Sequence, residues 1–516
     1  MSRRNRPVNS AGIIGGGIGG IATATLLAKA GLHVEVFEKE PSLGGRAGLL
    51  EADGFRFDTG PSWFLMPEIF EHYFELIGTS LNKELELERL SPGYKVFFEN
   101  AEPITIQGDL EKDAATFESI EPGAGDRLRT YVSRAEQAYT AATKSFLYTN
   151  FDSPQALLNR TSLTAGPRML RMALTDIDSY VSKLFRDRRL KQILEYPMVF
   201  LGSSPYEAPA LYQLMSFLDF KQGVYYPHGG MYQLIERMHA SARQNGVVFH
   251  AGTDVTAIET QDEHATGIRL ADGAVRGFDV IVSNADLHHT ETQLLPAEAR
   301  SYPQQYWDKR QPGPSALLMY LGVKGKLPEL EHHNLLFTDD WKKNFGSIFD
   351  DKRWPEPASI YLCKPSATDK TVAPDGHENL FVLVPMQADE TVTQVDLEEH
   401  ADRYLAQIEA MTGIADMRQR IVYRSFRGPS DFADRYNAWH GTALGLSHRL
   451  TQSAFLRPRN KSKRLDNLYY TGGNTVPGIG LPMCLISAEL VYKRLAGDKS
   501  SSAVGRIGRL DGAGNG

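Results

Sequence analysis

The chain has 516 residues, with 56 Lys or Arg against 63 Asp or Glu, which gives a formal net charge of −7 at pH 7. Hydrophobic residues at 42% and charged residues at 23% are typical of a folded globular protein, and they exclude a disordered chain, a coiled-coil rod and a polytopic membrane protein. The negative charge also argues against a chain built to bind nucleic acid. Two cysteines, Cys363 and Cys484, form no C-x-x-C motif or disulfide framework, so we expect reduced thiols in a cytoplasmic protein.

Two uncharged segments resemble export or membrane signals. The first follows the basic residues 1–6, but five of the six residues 15–20 are glycine, which is poor material for an apolar signal helix. The second, residues 467–488, has four glycines and two prolines between positions 472 and 482, so it is interpreted as a loop followed by a helix. Neither segment is predicted to direct export or to cross a membrane.

The first sixty residues contain the pattern of a dinucleotide-binding unit. Residues 11–14 form an apolar run typical of a buried parallel strand, and a helix pattern follows up to Gly31. A second strand, residues 33–38, ends in an acidic residue, Glu38. The G-x-G-x-x-G motif between the first strand and the helix is matched at Gly15, Gly17 and Gly20.

Each part of this unit has a mechanical role in binding a dinucleotide. Gly15 permits a tight turn, Gly17 lets the backbone approach a pyrophosphate, and Gly20 allows the helix to pack closely on the strand. Unpaired N–H groups at the helix start then face the diphosphate. Glu38 accepts hydrogen bonds from the ribose hydroxyls. Strand, glycines, helix, strand and acid in this order predict a bound dinucleotide.

The residues after the second strand distinguish between dinucleotides. Gly44, Gly45 and Arg46 are followed by a predicted hairpin with its turn at residues 53–54, and then by Thr59, Gly60, Pro61 and Ser62. Here the sequence resembles the flavoprotein superfamily of amine oxidases and carotenoid desaturases. That resemblance implies FAD, with Gly45 and Arg46 near the diphosphate and with Thr59, Gly60 and Pro61 among the cofactor contacts. A second dinucleotide motif with strand and helix context is absent from the sequence, so no NAD(P)H domain is expected.

Two later stretches resemble the other FAD-binding segments of this superfamily. Predicted strands over residues 254–259 and 279–283 look like the middle segment, where the backbone of Val255 contacts the adenine. A predicted strand over residues 468–470 enters a glycine-rich loop and a helix from about Met483, and the resemblance places cofactor contacts at Gly473, Asn474, Pro482 and Met483. Three separated stretches are therefore expected to build one site.

Several further stretches resemble bacterial phytoene desaturases, in family order over most of the chain. They are residues 58–62, 226–230, 283–286, 437–441, 450–454, 457–458, 477–482 and 487–488. The family often has Thr-His-Pro in the terminal loop, whereas this chain has Val476 between Thr475 and Pro477. No catalytic role of that histidine transfers to this sequence.

The implied chemistry dictates no catalytic side chain. A polyene has no ionisable group, so the protein has to hold a hydrocarbon against the flavin and exclude water. No metal is required. The pairs His288-His289 and His332-His333 are interpreted as surface histidines, and the catalytic residues stay unknown.

The middle of the chain has the charge pattern of a membrane-binding surface. Residues 160–191 contain eight basic residues against three aspartates, with apolar residues at near-helical spacing. Basic amphipathic helices are typical of membrane-surface segments. A helix with a solvated basic face and its apolar side buried in the protein gives the same pattern. The prediction is peripheral attachment to the inner face of the cell membrane.

The sequence therefore predicts an α/β flavoprotein with three structured regions and a disordered tail. They are a Rossmann-like FAD-binding domain (10–80, 222–290 and 460–497), a mixed-sheet substrate domain (81–111 and 291–459), a helical, membrane-associating lobe (112–221) and a tail (498–516). The resemblance implies a phytoene desaturase that passes electrons to oxygen or a quinone. The alternatives are a carotenoid isomerase, late-step desaturase or ketolase, or a non-enzymatic prenyl-lipid carrier of the same fold.

Overall fold

The computed structural model describes residues 8–150, 171–351 and 353–510. Its helices are, in chain order, α1 Ile18–Lys29, α2 Pro67–Ile77, α3 Leu81–Glu84, α4 Leu110–Ile120, α5 Ala124–Ser145, α6 Ile177–Val181, α7 Arg188–Glu195, α8 Met215–Phe217, α9 Tyr232–Gln244, α10 Leu287–His289, α11 Gln304–Trp307, α12 Trp341–Phe349, α13 Gln394–Thr412, α14 Pro429–Tyr436 and α15 Leu481–Leu495.

The strands lie in groups between these helices. They are β1 Ser10–Ile14, β2 His33–Glu38, β3 Leu49–Ala52, β4 Phe55–Asp58, β5 Leu87–Arg89, β6 Tyr94–Phe98, β7 Ala101–Ile106, β8 Tyr225–Pro227, β9 Val248–Ala251, β10 Val255–Gln261, β11 His264–Leu270, β12 Val275–Gly277, β13 Val280–Ser283, β14 Ser315–Lys324, β15 His333–Phe337, β16 Ile360–Cys363, β17 His377–Met386, β18 Ile421–Arg427 and β19 Leu468–Tyr470. The predicted α/β fold is confirmed.

A five-stranded parallel sheet joins distant parts of the chain. Its strand order is β19-β13-β1-β2-β9, and every neighbouring pair is parallel. Strands of this kind are buried on both faces and are therefore continuous apolar runs, as β1 and β13 are. Helices α1 and α15 pack together beside the sheet. On its other face, a Cβ at Gly12 would lie 2.5 Å from the Phe278 ring, which leaves room for glycine alone.

A seven-stranded mixed sheet forms the second layer. Its order is β18-β14-β17-β16-β15-β6-β7, and only the β15–β6 pair is parallel among the pairs formed by the described residues. Alternate residues of β14 enter different cores, as expected from the two-residue period of a strand. Leu317 packs in the core that contains α13 residues, whereas Tyr320 packs in the core shared with the helical region.

The described part of the predicted amphipathic segment is helical. Residues 177–195 contain two short helices, α6 and α7. Ile177, Val181, Phe185 and Leu190 are buried in the protein core and do not face outward. The apolar side of this part is thus internal, as in the alternative interpretation. Residues 160–170 of the predicted membrane segment lie outside the described residues.

The predicted disordered tail is partly ordered, so this prediction is wrong for residues 498–510. Val504 and Leu510 are buried against the core formed by α1 and α15. The Leu510 N–H donates to the Ala30 carbonyl at 3.0 Å. The buried Lys493 ammonium donates to the carbonyls of Ser500 and Ser502, both at 2.7 Å. The glycine and serine content predicted disorder, but the buried Val504 and Leu510 side chains and the hydrogen bonds of Lys493 hold the segment against the core.

Within the described ranges, no helix is both long enough and apolar enough to cross a bilayer.

Candidate functional site

The three predicted stretches meet in one cleft at the carboxyl ends of β1, β13 and β19. The cleft has a volume of about 1420 Å³, counting its open mouth, and is lined by residues 14–15, 17–19, 44–47, 253–255, 283–287 and 470–475, among others. A Cβ on Gly19 would lie 3.3 Å from the Gly472 Cα, so the terminal loop contacts the opening turn. In open parallel sheets, this edge is the usual place for a ligand.

The glycines of the opening turn are required by space and conformation. Gly15 has a φ of +94°, which residues with side chains rarely adopt. A Cβ on Gly20 would lie 2.0 Å from the Gly15 carbonyl oxygen, and one on Gly17 would lie 2.9 Å from the Asn284 Nδ2 atom. The turn can therefore press helix α1 against β1 while its backbone stays open to the cleft.

Glu38 ties this turn to β2. Its carboxylate accepts hydrogen bonds from the Gly16 N–H at 2.6 Å and from the Glu40 N–H at 2.8 Å. Burial raises the pKa of Glu38, although these two donors oppose the shift. The side chain also lines the cleft, at the end of β2 where a ribose is expected.

The Gly44-Gly45-Arg46 stretch lies against the same turn. The Gly44 N–H donates to the Gly16 carbonyl at 2.9 Å. Arg46 donates to the Thr442 carbonyl at 3.2 Å, and its guanidinium lies 5.6 Å from the centre of the Tyr436 ring. The Arg46 Nε atom is buried and has no hydrogen-bond partner among the described residues. A buried, unsatisfied donor beside the cleft fits an anionic ligand.

Side chains from several elements hold the terminal loop. Asn474 donates to the Asp286 carboxylate at 2.9 Å and accepts from the Leu446 N–H at 3.1 Å. Both the nitrogen and the oxygen of the Asn474 side-chain amide are thus hydrogen-bonded to the protein. Arg457 is fully buried and donates to the carbonyls of Gly473 and Thr475.

Arg457 is unusual because its charge is buried with carbonyl partners only. It also reaches the carbonyls of Gln452 and Leu446, and no carboxylate is paired with it in the described part of the chain. Burial lowers the pKa of Arg457 to about 10. Four carbonyl dipoles therefore hold one cation beneath the loop.

Two helices begin at the cleft without a capping side chain. The N-cap residues of α1 and α15 are Gly17 and Gly480, and neither helix has a side-chain cap. The free N–H groups and dipoles of helix N-termini favour negative charge. Together with Arg46 and the glycine cradle, they fit the diphosphate of a dinucleotide.

The structure places the predicted cofactor residues in two groups. Nine line the cleft: Gly15, Gly17, Glu38, Gly45, Arg46, Pro61, Val255, Gly473 and Asn474. Gly20 and Gly60 instead permit close packing, since a Cβ on Gly60 would lie 2.3 Å from the Arg46 carbonyl oxygen. Thr59 is buried beside them, and Pro482 and Met483 lie in the first turn of α15. Their individual contacts with a cofactor stay predictions.

Sequence reasoning missed several residues of the cleft. Asn284 reaches into the glycine cradle and donates to the Gly15 carbonyl at 3.3 Å. Asp286 binds Asn474, and Tyr436 and Asn437 form part of the wall. Asn284, Asp286 and Asn437 belong to stretches that resemble the desaturases, and that resemblance was the available signal.

The prediction of surface histidines is wrong for one pair. His332 and His333 are only 4% and 0% exposed. Burial lowers the pKa of His332 to about 3. His288 and His289 are partly buried, and His289 lines the cleft.

Comparison with known proteins agrees with this geometry. Residues 18–491 match the family described as flavin-containing amine oxidoreductase. The chain is 44% identical over 486 residues to a carotenoid 3,4-desaturase of Haloarcula japonica, covering 94% of this chain and 98% of that one. It is 35% identical over 492 residues to a zeta-carotene-forming phytoene desaturase of Myxococcus xanthus, covering 94% and 93%.

A solved structure shows the same fold at low identity. An oxidoreductase from Methanosarcina mazei is 17% identical and superposes with a TM-score of 0.61, covering 94% of this chain and all of that one. The site therefore belongs to an FAD-dependent oxidoreductase, and the resemblance drawn from the sequence motifs is confirmed. The chain is a member of the flavin-containing amine oxidoreductase family, in its carotenoid desaturase branch.

Proposed function

We propose that the protein is an FAD-dependent desaturase of a C40 carotenoid that acts late in carotenoid synthesis, by 3,4-desaturation. The observation that carries this choice is the 44% identity with the Haloarcula japonica carotenoid 3,4-desaturase across nearly both chains. The second candidate is desaturation of phytoene, towards neurosporene or lycopene. It is favoured by the phytoene desaturase motifs and by the 35% identity with the Myxococcus xanthus enzyme.

The residues of the cleft have defined roles in this proposal. The turn at Gly15–Gly20 and the N-terminus of α15 hold the diphosphate, with the Arg46 Nε atom as a further donor. The Glu38 carboxylate accepts hydrogen bonds from the ribose hydroxyls. Bound FAD supplies the acceptor for a hydride taken from the substrate.

The substrate explains why no acid or base stands out. Desaturation breaks two C–H bonds, one losing a hydride and the neighbouring one a proton. Conjugated double bonds delocalise the positive charge left by hydride loss, so the proton leaves easily to a nearby acceptor. The protein holds the polyene and excludes water. The two electrons then pass to oxygen or a quinone.

Product analysis distinguishes the candidate substrates. Cells that accumulate either phytoene or a late, conjugated carotenoid are given the gene, and their pigments are separated. We expect a product two hydrogens lighter from the late carotenoid and unchanged phytoene. Conversion of phytoene without conversion of the late carotenoid would contradict 3,4-desaturation and support phytoene desaturation. Oxygenated products would instead support a ketolase.

An anaerobic assay separates desaturation from isomerisation. We expect turnover of the carotenoid only when a quinone is added, because the electrons need an acceptor. Equal turnover without an acceptor would contradict desaturation and support an isomerase. A purified protein that binds carotenoid but shows no flavin absorption would support the carrier.

We further propose peripheral binding to the inner face of the cell membrane, where a carotenoid dissolves. Leu174 has 69% of its surface exposed, and Arg171, Lys183 and Arg186 are exposed near it in sequence. An exposed leucine among cations suits an anionic lipid surface, where each basic residue adds about 1 kcal/mol.

Vesicle sedimentation tests this surface. We expect salt-sensitive binding to anionic vesicles that Leu174→Ser and Lys183→Glu weaken. Val275→Ser is the control, because Val275 is an exposed apolar residue elsewhere, with 50% exposure. Equal binding to neutral vesicles would contradict the electrostatic part of the proposal.

A further inference from the structure

A cluster of two histidines and one cysteine is buried outside the flavin cleft. One ring nitrogen each of His332 and His333 and the Cys363 Sγ atom all lie within 4.8 Å of one another. The three residues are 4%, 0% and 1% exposed. His333 pairs with Cys363 across strands β15 and β16, so the sheet itself brings them together.

One nitrogen of each imidazole is held by a hydroxyl group. The His332 Nδ1 atom is 2.7 Å from the Thr368 Oγ1 atom, and the His333 Nδ1 atom is 2.8 Å from the Tyr361 hydroxyl. The Trp63 ring stacks on His333 with 4.2 Å between ring centres. Metal-binding histidines are usually oriented in this way by a partner on their other nitrogen.

The other nitrogen of each imidazole is left unsatisfied. Both Nε2 atoms are buried, and neither finds a hydrogen-bond partner in the described ranges. Two adjacent imidazoles with free nitrogens beside a buried thiol are a costly arrangement unless a ligand satisfies them. His332 and Cys363 also line a small cavity.

We infer that His332, His333 and Cys363 bind one zinc ion, a role separate from the flavin chemistry. Two neutral imidazoles and a thiolate are ligands that zinc prefers, and such ions take four ligands in a tetrahedron. A water molecule supplies the fourth ligand. When zinc binds, the Cys363 thiol loses its proton to solvent and no electron is transferred.

The site links the second sheet to the wall of the flavin cleft. The Tyr361 hydroxyl that orients His333 also lies 2.7 Å from the Ser62 Oγ atom. Ser62 follows Pro61, which lines the cleft. Zinc would therefore stabilise the contact between strands β15 and β16 and the segment with Pro61 and Ser62.

Metal analysis of the purified holoenzyme is the direct test. We expect about one zinc per chain in the wild-type protein and at least a roughly ten-fold lower content in Cys363→Ser and His332→Gln. His288→Gln is the control, since it alters the other histidine pair and leaves the cluster intact. Flavin absorbance per chain reports whether each variant is folded. A metal-free wild type, or zinc retained in both ligand variants, would overturn the inference.

A second set of experiments does not depend on removing a ligand. Tyr361→Phe and Thr368→Val remove only the orienting hydroxyls, and we expect each to weaken zinc affinity about 10- to 100-fold in chelator competition. Cobalt(II) exchanged into the wild-type protein should give intense tetrahedral bands in the red, beyond the flavin absorption. Unchanged affinities, or the weak spectrum of hydrated cobalt, would contradict a His₂Cys site.

Discussion

The turn after β1 and the loop after β19 line the same cleft with glycines, but they are held in different ways. The turn is held mainly by its own neighbours, through the Gly15–Gly20 contact and the Glu38 carboxylate. The loop is held from outside, by Arg457, Asp286 and the Leu446 N–H. A local motif needs only correct residues at correct spacing, whereas the loop needs the rest of the fold to be in place.

The largest effect is expected from Gly20→Ala in the turn. The added Cβ would lie 2.0 Å from the Gly15 carbonyl oxygen, and this backbone atom cannot move aside without opening the turn. We expect a loss of at least about 3 kcal/mol in the free energy of unfolding and little bound flavin. Denaturant unfolding and flavin absorbance per chain measure these effects.

Gly505→Ala is the matched control, because a Cβ there would meet no atom within 4 Å. If the Gly20→Ala variant binds flavin as well as the Gly505→Ala variant does, the turn does not depend on the close approach of Gly20 to the Gly15 carbonyl oxygen.

The next largest effect is expected from Arg457→Met in the support of the loop. The change leaves four carbonyl groups without their donor, and hydrogen bonds to charged groups contribute about 1.5–3 kcal/mol. We expect a loss of about 3 kcal/mol in stability and a roughly ten-fold weaker flavin affinity, measured by thermal unfolding and flavin titration.

Arg459→Met, at a partly exposed arginine two residues away, should be nearly neutral. Equal effects of the two substitutions would show that the loop does not depend on the buried guanidinium.

Asn474→Asp should have a smaller, pH-dependent effect on the loop. The new carboxylate would face Asp286 across 2.9 Å, and like charges at this distance raise the pKa of one of them. We expect the free energy of flavin binding to weaken by about 1–2 kcal/mol at pH 7. The binding is recovered as the pH falls and one of the two carboxylates is protonated. Flavin titrations between pH 5 and 8 follow the change.

The double variant Asp286→Asn with Asn474→Asp restores one charge and one amide, so it should bind flavin nearly as well as the wild type. A single variant with no pH dependence would contradict the role of this contact.

The smallest effect on the stability of the fold is expected from Glu38→Gln. An amide oxygen still accepts from one of the Gly16 and Glu40 N–H groups, but the other N–H loses its acceptor and the charge assistance is lost. We expect flavin affinity to fall about ten-fold, or about 1.4 kcal/mol, while the fold is preserved. Glu263→Gln, at an exposed acid in the β10–β11 turn, should leave the affinity unchanged.

Prediction from sequence was accurate where structure is local. Helix α15 was expected from about residue 483 and begins at Leu481, and the strand predicted over residues 254–259 is β10, Val255–Gln261. It was inaccurate where burial depends on distant residues. His332 and His333 lie in a polar stretch, yet β16 and Trp63 cover them. Val504 and Leu510 lie in a glycine- and serine-rich tail, yet they pack against apolar residues of α1 and α15.

The amino-acid sequence by itself determined the glycine turn, the strand that precedes it and the acid that follows, because steric limits and hydrogen-bond geometry act over a few residues. It also determined the family, through motifs spread along the chain. Only the tertiary structure decided which side chains support the terminal loop, which histidines are buried, and where the tail lies. Those outcomes depend on surfaces that exist only after strands from the start, middle and end of the chain have joined one sheet.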